Sequence, residues 1–340
     1  MTARPGGKGR AAPAAGGRNP EPPPGGRNPE PAPPAAAPRR RFRLPLPQPY
    51  DLGWVFGFLA DRATPALERI EPGLLVRVVR LAGVPVVLTV RPGPGLEAPS
   101  WLAVEAIRTA PAPRTALPLR RLVRRMLDLE TDLGPFLAMA RRDPLLRPLV
   151  ARHPGLRLPQ LPDPFEGAVR AIVGQQVSVA AARTVIDRLV RRFGEPVAAA
   201  GGGLFAFPHP AAVAGAPVES LTALGLTRAK AAALIAAAAA THGGALDWER
   251  LRGASPADAH AALVALPGIG PWTASYIRMR ALGDRDAFPA SDLGVVKAFS
   301  ALAPPASGAV STAAEIAALA ERWRPYRAYA AIHLWRSLSP

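Results

Sequence analysis

The chain of 340 residues contains no cysteine. That absence removes disulfides, a thiolate nucleophile, Cys-ligated zinc and a Cys-bound iron–sulfur cluster. Long apolar runs are missing as well. The nearest approach is the alanine-rich stretch at 231–240, too weakly apolar to span a bilayer. Residues 1–40 hold no apolar segment of the kind a signal peptide needs, so a cytoplasmic protein is expected. Acidic residues are scarce, 25 against 42 Lys and Arg, for a formal charge of +17. That sign favours a polyanionic partner, with a coding bias toward Ala, Arg, Pro and Gly throughout the chain as the alternative source of the charge. Residues 1–43 carry nine basic and two acidic residues, or +7, which leaves +10 on the rest of the chain. The five histidines (153, 209, 242, 260 and 333) show no ligand spacing with carboxylates, so no side-chain metal site and no cofactor are expected.

Proline and glycine are abundant, and they concentrate at the start. Residues 1–42 repeat GGRNPEP at Gly16–Pro22 and Gly25–Pro31. Such a segment has almost nothing apolar to bury against its ordering entropy and reads as a disordered basic tail. From 43 to 117 the pattern is that of a small antiparallel α+β domain. Leu52–Arg62, capped by Asp51, places Trp54, Phe58 and Arg62 at i, i+4 and i+8. Two β-branched runs, Leu74–Arg80 and Val84–Val90, flank a turn at Ala82-Gly83, and a third strand spans Trp101–Ile107. Residues 118–340 read as a succession of short helices. Asp163-Pro164-Phe165-Glu166 opens one with an Asp cap, Pro at the first helical position and an acid in the first turn. That helix runs into Gly174-Gln175-Gln176 before the next begins.

The most informative stretch is Leu266–Phe299. Leu266-Pro267-Gly268-Ile269-Gly270 is a tight turn between two helical patterns, the whole hairpin covering 255–282. Gly268 and Gly270 can take positive φ and let another backbone approach. Their amides sit beside a helix N-terminus, a natural seat for a phosphate oxygen. The helix after the turn carries Trp272, Tyr276 and Met279 at i, i+4 and i+7, and Asp292 follows twenty residues after Trp272 in a Ser-Asp pair that opens another helix.

This combination of hairpin, aromatic helix and spaced carboxylate resembles the helix-hairpin-helix base-excision DNA glycosylases, and within them DNA-3-methyladenine glycosylase II. The likeness extends over about residues 44–338. It implies a mostly α fold with an N-terminal α+β domain, and a monofunctional enzyme that flips alkylated purines out of double-stranded DNA and hydrolyses their N-glycosidic bond. On that resemblance Asp292 is the catalytic carboxylate, and Trp272, Tyr276, Trp335 and Phe58 are aromatic walls of the base pocket. Gly268, Ile269 and Gly270 hold the DNA backbone. Gln175 and Gln176 occupy the turn that fills the hole left by the flipped base, Gln176 standing where the enterobacterial type has Leu. The bifunctional relatives have Lys at the position of Trp272 and form a Schiff base, which Trp cannot do. A monovalent cation on the carbonyls of Val264, Leu266 and Ile269 is a further implication, as are a monomer and an association with the nucleoid through DNA. Two other readings stay open: a glycosylase for oxidised or mismatched bases, and a non-catalytic hairpin scaffold that only binds DNA.

Overall fold

Five strands carry the N-terminal part of the chain: β1 (Arg39–Pro45), β2 (Glu68–Glu71), β3 (Leu74–Leu81), β4 (Val84–Pro92) and β5 (Trp101–Arg108). The computed structural model describes residues 9, 39–94, 99–109, 119–198, 202–302 and 312–338. The tail read as disordered lies outside these up to 38, save for residue 9. Its last four residues do not belong to a tail. Arg39–Pro45 runs antiparallel along β5, from Arg39 opposite Ile107 to Pro45 opposite Trp101. The sheet order is β1-β5-β4-β3-β2, antiparallel throughout. An edge strand has to satisfy only one apolar face, so Phe42 and Leu44 are enough to dock it while Arg41 and Arg43 stay exposed.

Helix α1 (Leu52–Asp61) starts where Asp51 Oδ1 accepts the Trp54 amide at 2.8 Å. It buries Val55, Phe56, Phe58 and Leu59. Three short helices follow, α2 (Leu119–Met126), α3 (Gly134–Ala140) and α4 (Arg147–Arg152). Then come α5 (Pro164–Gly174), capped by Asp163 on the Phe165 amide at 2.9 Å, and α6 (Val179–Phe193). A short antiparallel pair follows, β6 (Glu195–Pro196) with β7 (Phe205–Ala206). Beyond it lie α7 (Pro210–Ala214), α8 (Val218–Thr222), α9 (Arg228–His242), α10 (Trp248–Gly253), α11 (Pro256–Val264) and α12 (Pro271–Ile277). The last three are α13 (Leu293–Leu302), α14 (Ala313–Ala320) and α15 (Arg327–Ser337).

Two hydrophobic cores organise these elements. One joins α1 and a face of the sheet to α2–α4 and α13–α15, so the beginning and end of the chain share it. Trp323, fully buried, donates its indole N–H to Asp143 Oδ2 at 2.9 Å, and the Tyr329 hydroxyl donates to Asp128 Oδ2 at 2.8 Å. These bonds pin the last helices to the segment between α2 and α4. The second core is built by α5–α12. Between the two cores runs a buried ionic network. Arg77 on β3 is clamped by Glu68 on β2 and by both oxygens of Glu166 on α5 (2.5 and 2.6 Å). Arg170 closes the square, reaching Glu166 at 2.7 Å and Glu68 at 3.3 Å. Among the described residues no helix is long and apolar enough to cross a membrane.

Candidate active site

Asp292 stands where the two cores meet. Its Oδ1 accepts the amides of Gly294 (2.9 Å) and Val295 (3.1 Å), which makes it the N-cap of α13. A side-chain acceptor there satisfies donors that the first turn of a helix leaves free. Two indoles complete the arrangement. Trp335 Nε1 donates to Oδ1 at 2.8 Å and Trp272 Nε1 donates to Oδ2 at 3.1 Å. A side chain at Gly294 would crowd this arrangement, since a Cβ would lie 3.0 Å from Trp335 Cδ1 and 3.1 Å from Asp292 Oδ1. The carboxylate is therefore fixed from three directions. Oδ2 takes a single bond among the described residues, which leaves it a lone pair.

A cavity of about 450 Å³ opens beside it. Trp272 and Tyr276 line one side from α12, their rings 5.5 Å apart and 26° from parallel. Trp335 from α15 lines it too, 6.5 Å from Tyr276. Val177 and Val179, both close to half exposed, form the lip at the start of α6. The inner end is ionic, reached by Arg62, Arg280, Arg77, Arg170 and Glu68. Burial pushes the Arg62 guanidinium below its ordinary range, with Tyr276, Asp61 and Asp292 pulling the other way. Phe58 does not line this cavity. It is buried behind Trp335, the rings 6.4 Å apart and 16° from parallel, and belongs to a separate cleft along α1. Phe58 points inward because α1 has to bury that face on the sheet, so it supports the wall from behind.

The hairpin packs into the second core through Leu263, Ile269 and Ala274. Gly268 sits at φ +77°, in the left-handed region, and a Cβ on it would come within 2.6 Å of Ala233 Cβ. Gly270 is extended (φ −86°, ψ 178°) as the N-cap of α12, so only one of the two glycines uses a conformation that other residues rarely adopt. Ile269 is buried, and its amide is spent on the Leu266 carbonyl at 3.2 Å. Gln175 is not free at the neighbouring turn. Its side-chain amide donates to the Gly268 carbonyl and to Thr273 Oγ1, both at 2.9 Å. Lys230 Nζ braces the same turn through the carbonyls of Val173 (2.9 Å) and Gln175 (2.6 Å). Gln176 is exposed, at φ +54°.

Residues 41–163 match the family model for the AlkA N-terminal domain, and residues 169–325 match that for the HhH-GPD superfamily of base excision DNA repair proteins. DNA-3-methyladenine glycosylase 2 of Escherichia coli is 32% identical over 290 residues, which cover 84% of this chain and 94% of that protein. This chain belongs to the DNA-3-methyladenine glycosylase 2 family. Similar too, at 36% identity over 308 residues, is a probable bifunctional transcriptional activator/DNA repair enzyme AlkA of Mycobacterium tuberculosis. The match takes in 89% of this chain but only 58% of that relative's length. Among solved structures, 3-methyladenine DNA-glycosylase from Archaeoglobus fulgidus superposes with a TM-score of 0.75 at 27% identity, covering 88% of this chain and 99% of the other.

In the folded protein the aromatic helix α12 and the Asp292 carboxylate share one cavity. Sequence spacing alone did not reveal that both tryptophans hold Asp292, because an indole's hydrogen-bond partner depends on how two distant helices cross. Arg280 went unnoticed for a similar reason. Its place at i+4 from Tyr276 was the one available signal, but a π-helical turn, Arg278–Leu282, continues α12 and shifts that face by part of a turn.

Proposed function

We propose that this protein is a monofunctional DNA glycosylase that removes alkylated purines, among them 3-methyladenine and 7-methylguanine, and leaves an abasic site. The observation that carries the reading is the Asp292 carboxylate. It is fixed by two indoles and a helix N-terminus at the edge of an aromatic cavity, with one lone pair of Oδ2 uncommitted.

The substrate base leaves the DNA stack to reach such a pocket, at a cost that is smaller for a damaged pair. Trp272 and Tyr276 offer it π-faces, and an alkylated, cationic purine adds a cation–π term to the stacking. As the N-glycosidic bond lengthens, positive charge grows on the sugar, as in an oxocarbenium-like transition state. An anion already in place beside that charge stabilises the transition state without reorganising. The free lone pair of Oδ2 then also has a role in orienting the attacking water. Trp272, where a Schiff-base enzyme carries Lys, leaves strand cleavage by that route without a nucleophile. Gln176 fills the gap in the duplex. Gly268 and Gly270 turn their amides to a phosphate oxygen, and carbonyls at the end of α11 and in the turn (Val264, Leu266, Ile269) would hold a monovalent cation that neutralises part of the backbone charge.

Asp292→Asn tests the charge. Asn caps helices about as well as Asp, so the fold and the affinity for abasic-site DNA should be retained. Single-turnover excision of 7-methylguanine should fall on the order of a hundredfold or more, the scale of a lost preorganised electrostatic group. Near wild-type excision by a folded Asn variant would reduce Asp292 to a helix cap and sink the reading.

A further inference from the structure

The sheet has a second face that the catalytic cavity does not use. Arg77, which reaches the cavity, stands in one rung with Leu88 and Ala106 on the inner face. Side chains alternate along a strand, so the rungs Arg41–Glu105–Thr89–Val76 and Arg43–Ala103–Arg91 belong to the outer face. The β6–β7 pair covers one end of that face, where Val197, Leu204 and Ala206 pack with Val78 and Val87. At the other end a groove of about 530 Å³ lies open, lined by β1, β4 and β5. A ligand seated at Asp292 cannot fill it without passing round the sheet.

The groove is cationic and aromatic. Among the described residues, Arg41, Arg43 and Arg91 line it against one carboxylate, Glu105. That carboxylate is shared, since Arg41 Nη2 donates to Oε1 at 3.1 Å and Arg39 Nη1 lies 3.8 Å from the same oxygen. The side chains of Arg39 and Arg41 remain 61% and 73% exposed. Arg43 turns instead to Trp101, its guanidinium 4.2 Å from the ring centre. The indole lies against Gly93, where a Cβ would come within 2.5 Å of it. Thr89 and Ala103 add only short side chains to the groove. The 38 residues that lead into β1 carry five basic and two acidic residues, so that segment cannot neutralise the groove.

We propose that this outer face binds single-stranded DNA, at a site separate from the cavity at Asp292. Arg39, Arg41 and Arg43 alternate along β1, so their side chains recur about every 7 Å, close to the step between successive phosphates of an extended strand. A cationic row that tracks the backbone beside planar groups on which bases stack is how sequence-independent sites hold unpaired strands. The Arg43–Trp101 pair supplies the plane, and the short side chains beside it leave room for a base. A duplex keeps its bases stacked inside, offers phosphates only, and would leave that plane unused. The site is independent of the glycosylase reading, because it needs neither the cavity nor the hairpin.

Fluorescence anisotropy of a labelled oligothymidylate, which forms no duplex, tests this on the full chain. Arg41→Ala combined with Arg43→Ala should weaken binding at least about fivefold at low salt. It should also flatten the dependence of log affinity on log salt by about 1.4, the loss of two single-strand phosphate contacts. Arg141→Ala with Arg142→Ala removes the same charge from an exposed site on another element, and should cost less than about twofold. Glu105→Gln frees Arg39 and Arg41 from their counterion and should tighten binding about twofold or more, a gain that misfolding does not mimic. Single-turnover excision of 7-methylguanine from a duplex by the Arg41/Arg43 variant should stay within about twofold of wild type, as for distant independent sites. Melting temperature checks the fold, and if the double variant does not fold, Glu105→Gln decides. Unchanged oligothymidylate affinity in a folded Arg41/Arg43 variant overturns the proposal, as does unchanged affinity in Glu105→Gln. An equal loss in the Arg141/Arg142 control overturns it too, since net charge would then be the cause. An equal loss of affinity for an undamaged duplex overturns the single-strand assignment.

Discussion

At the scale of single residues, the groups that matter are those whose surroundings contradict their polarity. His333 on α15 is 2% exposed and packs against Phe136, and neither ring nitrogen has a partner among the described residues. Burial pushes its pKa down to about 3, and the nearby His153 adds to the fall. The folded protein therefore refuses a proton that the unfolded chain accepts below about 6.5. The His333 contribution is fully present above that value and is lost as pH falls toward 3, at up to about 1.4 kcal/mol per pH unit. Asp163 works in the opposite sense. Burial raises it to about 6, so its contribution favours the acid side and declines as pH rises from the ordinary carboxylate value through 6. A difference between two proteins isolates His333 from this background. Melts at pH 7.5, 5.5 and 4.5 should show His333→Leu losing less stability on acidification than the wild type. Parallel curves would mean that the imidazole finds a proton acceptor in the folded state.

Among the elements, the hairpin turn separates structure from binding at two neighbouring glycines. Gly268→Ala should cost about 2–4 kcal/mol, combining left-handed strain with overpacking against Ala233. At Gly270 the backbone is extended and a Cβ meets nothing within 4 Å, so alanine there should leave the urea midpoint nearly unchanged. Gly270→Asp should likewise fold, but weaken binding to abasic-site DNA on any sequence, because it places an anion beside the phosphate backbone. A folded Gly270→Asp protein with wild-type affinity would count against docking through this turn. Local chemistry made some of the helix starts readable: Asp51 and Asp163 cap as their sequence context suggests. Strand β1 was not readable, because its alternation of Arg with Phe42 and Leu44 adjoins a Pro/Gly-rich tail and carries that tail's charge.

On the scale of the whole molecule, the ionic square of Arg77, Arg170, Glu68 and Glu166 ties the sheet to α5 across the junction of the two cores. Glu166 is 2% exposed, and Arg77 and Arg170 hold its carboxyl below the usual range against the upward push of burial. Glu166→Gln would leave two buried guanidiniums short of one countercharge. Breaking a buried pair on one side costs about 3–5 kcal/mol, and urea denaturation should register a loss of that order. A loss below about 1 kcal/mol would show that the network is redundant with the packing around it. The same square forms the back of the cavity, so excision by this variant should be measured only where it remains folded.

By itself the sequence determined the helical character of the chain, the small antiparallel sheet, the hairpin with its following aromatic helix, and Asp292 as the carboxylate to watch. Each of these depends on neighbours within a turn or two, where caps, glycine turns and apolar periodicity act. Tertiary structure alone decided that Trp335, forty-three residues beyond Asp292, shares a carboxylate oxygen with the start of α13. It also decided that Phe58 stands behind the wall, that Gln175 is tied to the hairpin, and that Arg280 is buried with a donor unspent. Those outcomes depend on how two hydrophobic cores meet. A side chain's direction and partner at such a junction are fixed by the packing of segments far apart in the chain, and no local pattern carries that information.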